Sequence, residues 1–410
     1  MRYVTLLFLI NLTFEIRITT LLLIKSYKNL MRNLLPILVI CISSILGSCK
    51  KDSKETEVPF SNRTKQNISD AKGFEITDYG NFKIISVSKA WPESEKTFTY
   101  VLLKNGASLP DSLNADAVIS IPVKNIVVTS TTHLPALELL GVETTLKGFP
   151  NLDYISSEIF RKLIDLGEIK ELGQNESINT ETAINLNPDV LVSFGVDGEN
   201  KALNSLRRAG IPIVYNGDWV ETTPLGQAEW IKFFAAFYDK EAKADSIFNK
   251  IKVQYTNLKQ KANQAKNEPT VLSGALFKDV WYLPKGDSWA AQLLADANAN
   301  YIYKDVEGTG SAALSLEEVL NTAQDADFWI SPNSFETYSD LASGNPVYKQ
   351  FKAFKEKKIY GFASVKGKTG GLLYYELAPS RPDWVLADLV AIFHPEISVN
   401  YKPHFFKPLE

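Results

Sequence analysis

From residue 118 onward, short apolar runs alternate with amphipathic stretches. Ile126-Val127-Val128-Thr129 is a buried strand, 132–140 is a helix that stops at Gly141, and Leu146-Lys147-Gly148-Phe149 is a second strand. The helix 201–209 ends at Gly210, before the strand Ile211-Pro212-Ile213-Val214-Tyr215. After Pro269 the pattern returns: strand 270–274, helix 289–296, helix 348–357, strand 358–362 and helix 381–393. Strands that alternate with helices predict parallel sheets with helices on their faces. Between the two halves, apolar residues recur at helical spacing from Ile231 to Ala262 without a proline. This predicts a backbone helix within 226–268, with a break possible at Asp239-Lys240-Glu241. The segment 241–265 alone would be about 37 Å long at 1.5 Å per residue.

One unit is written twice. Asn179-Thr180-Glu181 opens a short helix that leads to Asn187-Pro188-Asp189 and an apolar strand, and Ser315-Leu316-Glu317 opens another that leads to Asp325-Ala326-Asp327 and Phe328-Trp329-Ile330. Each glutamate falls in a first helical turn, where a carboxylate is stabilised by about 0.3–1 kcal/mol. The order strand, helix, glutamate unit, helix, strand is common to both halves and reads as a diverged internal duplication. The expected fold is α/β: two parallel-sheet, Rossmann-like lobes at 118–225 and 269–410, joined by one long helix. Segment 71–117 is a β-rich extension, with a hairpin formed by 82–87 and 97–103 around Pro92.

The N-terminal pattern differs. Lys25, Lys28 and Arg32 precede the apolar run Leu34 to Leu46, and Leu46-Gly47-Ser48-Cys49 ends it. A basic flank, a short apolar run and a small-residue end describe an export signal over 1–48, too short to span a bilayer comfortably. Met31-Arg32-Asn33 would begin such a signal by itself, so Met31 is the expected true start. The Leu-Gly-Ser-Cys ending resembles a bacterial lipobox, which implies cleavage before Cys49, lipidation of its thiol and an anchored protein. Residues 49–70 are polar and aperiodic and read as a tether. No cysteine follows Cys49, so the exported domain folds without disulfides.

Composition narrows the chemistry. The 410 residues are 45% hydrophobic and 22% charged, with net charge −3, which gives no reason to expect nucleic acid as a partner. His133, His394 and His404 are scattered, so no metal-ligand cluster and no cofactor is expected. Gly367-Lys368-Thr369 lacks the earlier glycine of a phosphate loop, and Ser86-Val87-Ser88-Lys89 lies in a strand. No catalytic residue is expected. Parallel sheets receive ligands at the carboxyl ends of their strands. There the sequence places Ser130, Thr131, His133, Trp219, Trp281, Tyr374 and Arg381. Aromatics, hydroxyls and one arginine suit a bulky, partly anionic organic ligand.

These features resemble the substrate-binding lipoproteins of ABC importers for ferric siderophores, haem and vitamin B12. The resemblance covers about 118–400 and rests on Val127-Val128-Thr129-Ser130, on Asn187-Pro188-Asp189-Val190-Leu191-Val192, on Ala209-Gly210-Ile211-Pro212-Ile213 and on Ser315-Leu316-Glu317-Glu318-Val319-Leu320. It implies a monomeric, non-enzymatic binder that carries an iron complex in the cleft between its lobes. By position it implies that Glu181 and Glu317 dock onto an inner-membrane permease, with a lipid anchor at Cys49 and the domain facing the periplasm or the cell surface. Asn175-Glu176-Ser177 stands where vitamin B12 binders can offer a stacking tryptophan. That puts a ferric siderophore first, with haem or cobalamin as alternatives. A surface capture lipoprotein without permease coupling is the competing class.

Overall fold

The computed structural model describes residues 63–104, 106–110, 113–196 and 200–410. The expected signal, Cys49 and most of the tether lie outside the described residues. Those from 63 onward belong to one compact unit.

The first-lobe sheet is fully parallel. Its order is Ile213–Asn216, Val190–Phe194, Ile126–Val128, Leu146–Phe149, Lys170–Glu171. Strand Ile126–Val128 is buried throughout, and Val190–Phe194 nearly so, as central parallel strands require. The second-lobe sheet is ordered Asn300–Tyr301, Thr270–Ser273, Phe328–Ile330, Ile359–Gly361, Lys407–Pro408, with only the last strand antiparallel. The first four strands of the first-lobe order thus have counterparts in the second lobe. In both lobes the strand after the glutamate unit sits between the lobe's opening strand and the strand that follows the next helix. The duplication read from the sequence is therefore a duplication of topology.

The residues that end elements do so for local reasons. Gly141 takes φ 65° at the end of Leu134–Leu140, a left-handed cap that leaves no Cβ to clash. Asn179 and Ser315 each accept an N–H of their helix's first turn through the side chain, at 3.0 and 3.1 Å.

The segment expected as one backbone helix is three: Pro224–Glu229, Ile231–Ala236 and Glu241–Ala262. Asp239 has φ 53°, which no helix interior accommodates, so the chain turns at the break noted in the sequence. The 22-residue helix Glu241–Ala262 spans about 33 Å at 1.5 Å per residue. Its buried Ala244, Phe248 and Ile251 belong to the first core, and Tyr255 and Ala262 to the second. One helix thus serves both lobes. Helix 348–357 is likewise split into the 3-10 turn Pro346–Gln350 and the short helix Lys352–Lys355.

The N-terminal extension is larger than a hairpin. Thr64–Lys65, Phe74–Asp78, Phe82–Val87, Phe98–Lys104 and Ala117–Ile121 form one sheet in sequence order. The first three pairings are antiparallel and the last is parallel. The expected pairing of the 82–87 and 97–103 segments is present as Phe82–Val87 against Phe98–Lys104. Phe74 packs on Trp230 and Phe233. Buried Glu229 and Glu221 accept the backbone N–H groups from Ser69 to Gly73, fixing the entry of the chain into the domain.

Candidate functional site

Each parallel sheet has one place where the chain leaves neighbouring strands in opposite directions, and ligands bind in the crevice that opens there. In the first lobe that place lies between Ile126–Val128 and Val190–Phe194. In the second it lies between Thr270–Ser273 and Phe328–Ile330.

At the second-lobe crevice lies a cavity of about 480 Å³. Its floor is Ser273, Gly274, Ser331 and Asn333, the residues that end or follow the two central strands. Its walls are aromatic: Phe277, Tyr282, Trp289, Phe362, Tyr374 and Tyr375. Phe362 and Tyr374 stack at 4.2 Å with ring planes 7° apart. Phe277, Tyr282 and Tyr375 remain 59%, 44% and 58% exposed, so the cavity opens onto solvent through three rings. Among the described residues no lining side chain is charged. The small sheet Ala275–Phe277, Val280–Pro284, Ser311–Leu314 holds two of these rings in place.

A second cavity of about 480 Å³ lies on the first lobe, between Ser193–Val196, Asn175, Glu176 and the start of helix Lys201–Arg208. Polar groups meet close by. The Thr129 hydroxyl donates to Ser193 Oγ at 3.1 Å, and Asp218 N donates to Asn216 Oδ1 at 2.8 Å. Burial pushes Asp218 up to about 6, against a side-chain hydrogen bond from Thr132. Segment 88–91 of the extension lies across these strand ends. A Cβ on Gly217 would meet the Lys89 carbonyl, and one on Gly195 the Trp91 ring. Trp91 also stands edge-on to Tyr215 at 5.5 Å.

The short helix Leu373–Leu377 connects the second-lobe crevice to the first lobe. It carries Tyr374 and Tyr375 and packs against the first-lobe turn Thr131–His133. Ser130 caps that turn, and Ser130 and Thr131 are half-buried there. Of the residues expected to touch ligand, Tyr374 lines the second-lobe cavity, whereas Ser130 and Thr131 line neither cavity and sit in the turn its helix packs against. Trp219 is 41% exposed in the turn Asp218–Val220 and lines neither cavity.

Three expectations are corrected. Trp281 is fully buried, donates to the Ser273 carbonyl at 3.0 Å and packs on Trp329 at 5.3 Å, so it is core. Strand alternation turns it inward and its neighbour Tyr282 outward. His133 is also fully buried, against Phe234 at 5.4 Å, and among the described residues neither ring nitrogen has a hydrogen-bond partner. Burial pushes its pKa down to about 3. Arg381 is engaged within its own lobe and lines neither cavity. Its guanidinium makes two bonds to Asp383, at 2.9 and 2.6 Å, and lies 3.6 Å from the Trp384 ring centroid.

Trp91, Phe277, Trp289, Ser331, Asn333 and Glu376 were not singled out from the sequence. Ser331 and Asn333 carry a readable signal, since they follow a strand directly. Trp91 and Glu376 carry none, because their neighbours are far away in sequence. Glu181 and Glu317 are exposed, each in the first turn of its helix, and among the described residues neither has a hydrogen-bond or ion-pair partner. No helix among the described residues is long and apolar enough to cross a membrane, and none of their His, Cys, Asp and Glu side chains form a group that could hold a metal ion.

Two parallel-sheet lobes of matching strand order, with one helix contributing to both cores, give the chain a two-lobed α/β architecture. The chain belongs to the periplasmic binding protein family, whose model matches residues 126–365. It is a substrate-binding protein of the ABC-transporter type. An uncharacterised lipoprotein of Methanocaldococcus jannaschii is 32% identical over 70% of this chain and 69% of its own length. Among solved structures, a periplasmic haem-binding protein of Pseudomonas aeruginosa aligns at TM-score 0.52 and 18% identity, over 70% of this chain and 98% of its own. A possible iron-binding protein of Staphylococcus epidermidis aligns at 0.52 and 18%, over 67% and 99%. The sheet formed by residues 64–121 precedes the matched family region.

Proposed function

We propose that the protein is a lipid-anchored cell-envelope binder of an iron complex, a ferric siderophore in the first place, which it passes to an inner-membrane permease. The observation that carries the ligand class is the second-lobe cavity, with aromatic walls, hydroxyl and amide groups on its floor and no charged lining side chain. Such a surface recognises ring faces and neutral polar atoms better than a dense negative charge. With Arg381 committed to Asp383, a neutral hydroxamate-type ferric complex fits better than a highly anionic one. Ser130 and Thr131, in the first-lobe turn against which the helix of Tyr374 packs, would contact it from the first lobe.

Haem is the second reading, favoured by the exposed rings Phe277, Tyr282 and Tyr375, which suit a flat macrocycle. The test is quenching of tryptophan fluorescence, Trp289 being in the cavity wall. Ferric hydroxamate, ferric catecholate, haemin and cobalamin are titrated separately. Saturable quenching by the hydroxamate is the expected result, haemin alone would select the second reading, and no quenching by either would overturn the iron-complex assignment.

Glu181 and Glu317, exposed, without a partner among the described residues and placed equivalently on the two lobes, support permease docking. Replacing both by alanine is expected to abolish uptake with ligand affinity unchanged. Normal uptake by the double variant would favour a surface capture protein without a permease.

A further inference from the structure

The helix Leu373–Leu377 that offers Tyr374 and Tyr375 to the cavity also carries Glu376, which is only 1% exposed. Its two carboxylate oxygens accept the backbone N–H groups of Ser156, at 2.6 Å, and Ser157, at 2.9 Å. Ser157 is the N-cap of the first-lobe helix Glu158–Asp165, so a second-lobe carboxylate sits on a first-lobe helix start. The preceding loop follows the same path. Ser156 Oγ donates to the Gly371 carbonyl at 3.0 Å, and Thr369 Oγ1 donates to the Asp153 carbonyl at 2.7 Å. A Cβ at Gly371 would meet the Tyr154 carbonyl, and one at Gly367 the Ser156 backbone, so the loop lies flush on the other lobe.

A carboxylate buried this far loses hydration, and burial pushes Glu376 up to about 7 while the Ser156 and Ser157 amides work the other way. The nearby Glu138 carboxylate, which accepts from Ser157 Oγ at 2.7 Å, raises it further. An apolar side chain would avoid that cost but leave the Ser156 and Ser157 N–H groups without their acceptor. What the glutamate supplies is direction: two charge-assisted bonds to adjacent amides at a helix start fix one orientation.

We infer that Glu376 is a positioning residue, a clasp between the lobes that is separate from the helix Glu241–Ala262 and that holds Tyr374 and Tyr375 at the cavity. Its consequence for cargo rests on the binding function proposed above; the clasp itself does not.

The test is amide hydrogen exchange on the full chain without ligand, comparing wild type with Glu376→Ala, Glu376→Gln and Gly371→Ala. In Glu376→Ala, exchange at Ser156 and Ser157 is expected to rise at least tenfold, together with exchange at 373–375, while strand Ile126–Val128 keeps its protection. Glu376→Gln retains one acceptor and is expected to fall between. Gly371→Ala opens the clasp from the backbone side with the glutamate intact, and serves as the deciding variant where Glu376→Ala does not fold. Unchanged exchange at Ser156 and Ser157 would overturn the clasp. Faster exchange there with none at 373–375 would overturn the positioning role. Because no cargo is present, failure of the fluorescence titrations leaves this outcome unaffected.

Discussion

The two lobes share a strand order but finish their strands differently. The first lobe ends in buried polar residues, Thr129, Ser193, Asn216 and Asp218, with segment 88–91 of the added sheet laid across part of them. The second ends in an open cavity walled by rings. One topology thus supports two kinds of surface, because the sheet fixes only where strands end. What stands there depends on the following few residues and on what distant segment covers them. The first lobe's end keeps its own cavity beside segment 88–91, and the second lobe's end is walled by exposed rings.

This contrast can be broken from either side. The largest effect is expected for Trp281→Ala. Loss of a fully buried indole should cost about 3–5 kcal/mol of stability, read in urea melts. If stability holds and only binding falls, Trp281 belongs to the cavity after all.

His133 tests the first lobe. Its pKa falls from 6.5 to about 3 through burial, so the unfolded chain binds a proton there that the folded chain does not. Stability from this group is complete above pH 6.5 and drains away as pH falls towards 3. At about 1.4 kcal/mol per unit, the loss is on the order of a few kcal/mol. Asp218, raised to about 6, acts in the opposite direction, favouring the fold at acid pH and losing that contribution as pH rises from 3.8 through 6. The comparison of His133→Leu with wild type isolates the histidine. Its melts should show a smaller loss between pH 6.5 and 4, and identical slopes would mean that the imidazole is not buried uncharged.

Gly217→Ala probes the roof over the first lobe. The new methyl meets the Lys89 carbonyl, an overpacking worth about 1–3 kcal/mol, and protease cleavage within 88–97 should accelerate. Tyr374→Ala removes the ring stacked on Phe362. It should weaken the best-quenching iron complex about tenfold, which corresponds to about 1.4 kcal/mol. Arg381→Lys should be the mildest for binding, within about twofold, since the guanidinium faces Asp383. A loss there as large as that of Tyr374→Ala would return Arg381 to the ligand site.

Local pattern made much of this fold legible. The strands at 126, 146, 190, 270 and 328 and the helix Trp289–Asp296 announce themselves through apolar runs and capping residues. The paired glutamate units even disclosed the duplication, because a capped helix start is written within a few residues. The break at Asp239 was visible only as a run of polar residues; that it divides the helix depends on a left-handed backbone conformation.

Site residues were harder to read. Trp281 and Tyr282 are adjacent and both aromatic, and only the direction of a strand edge decides which is core. Arg381 looked like a ligand contact until Asp383 and Trp384 folded onto it. By itself, the sequence determined the α/β class, the two halves, the strand ends where a ligand would lie and the positions of Glu181 and Glu317. Only the tertiary structure decided which rings face the cavity, that segment 88–91 roofs the first lobe, and that Glu376 reaches Ser156 and Ser157 across the lobes. Periodicity and caps act over a few residues and leave a mark in the chain. Side-chain direction and contacts between residues 220 positions apart are set by packing, and leave none.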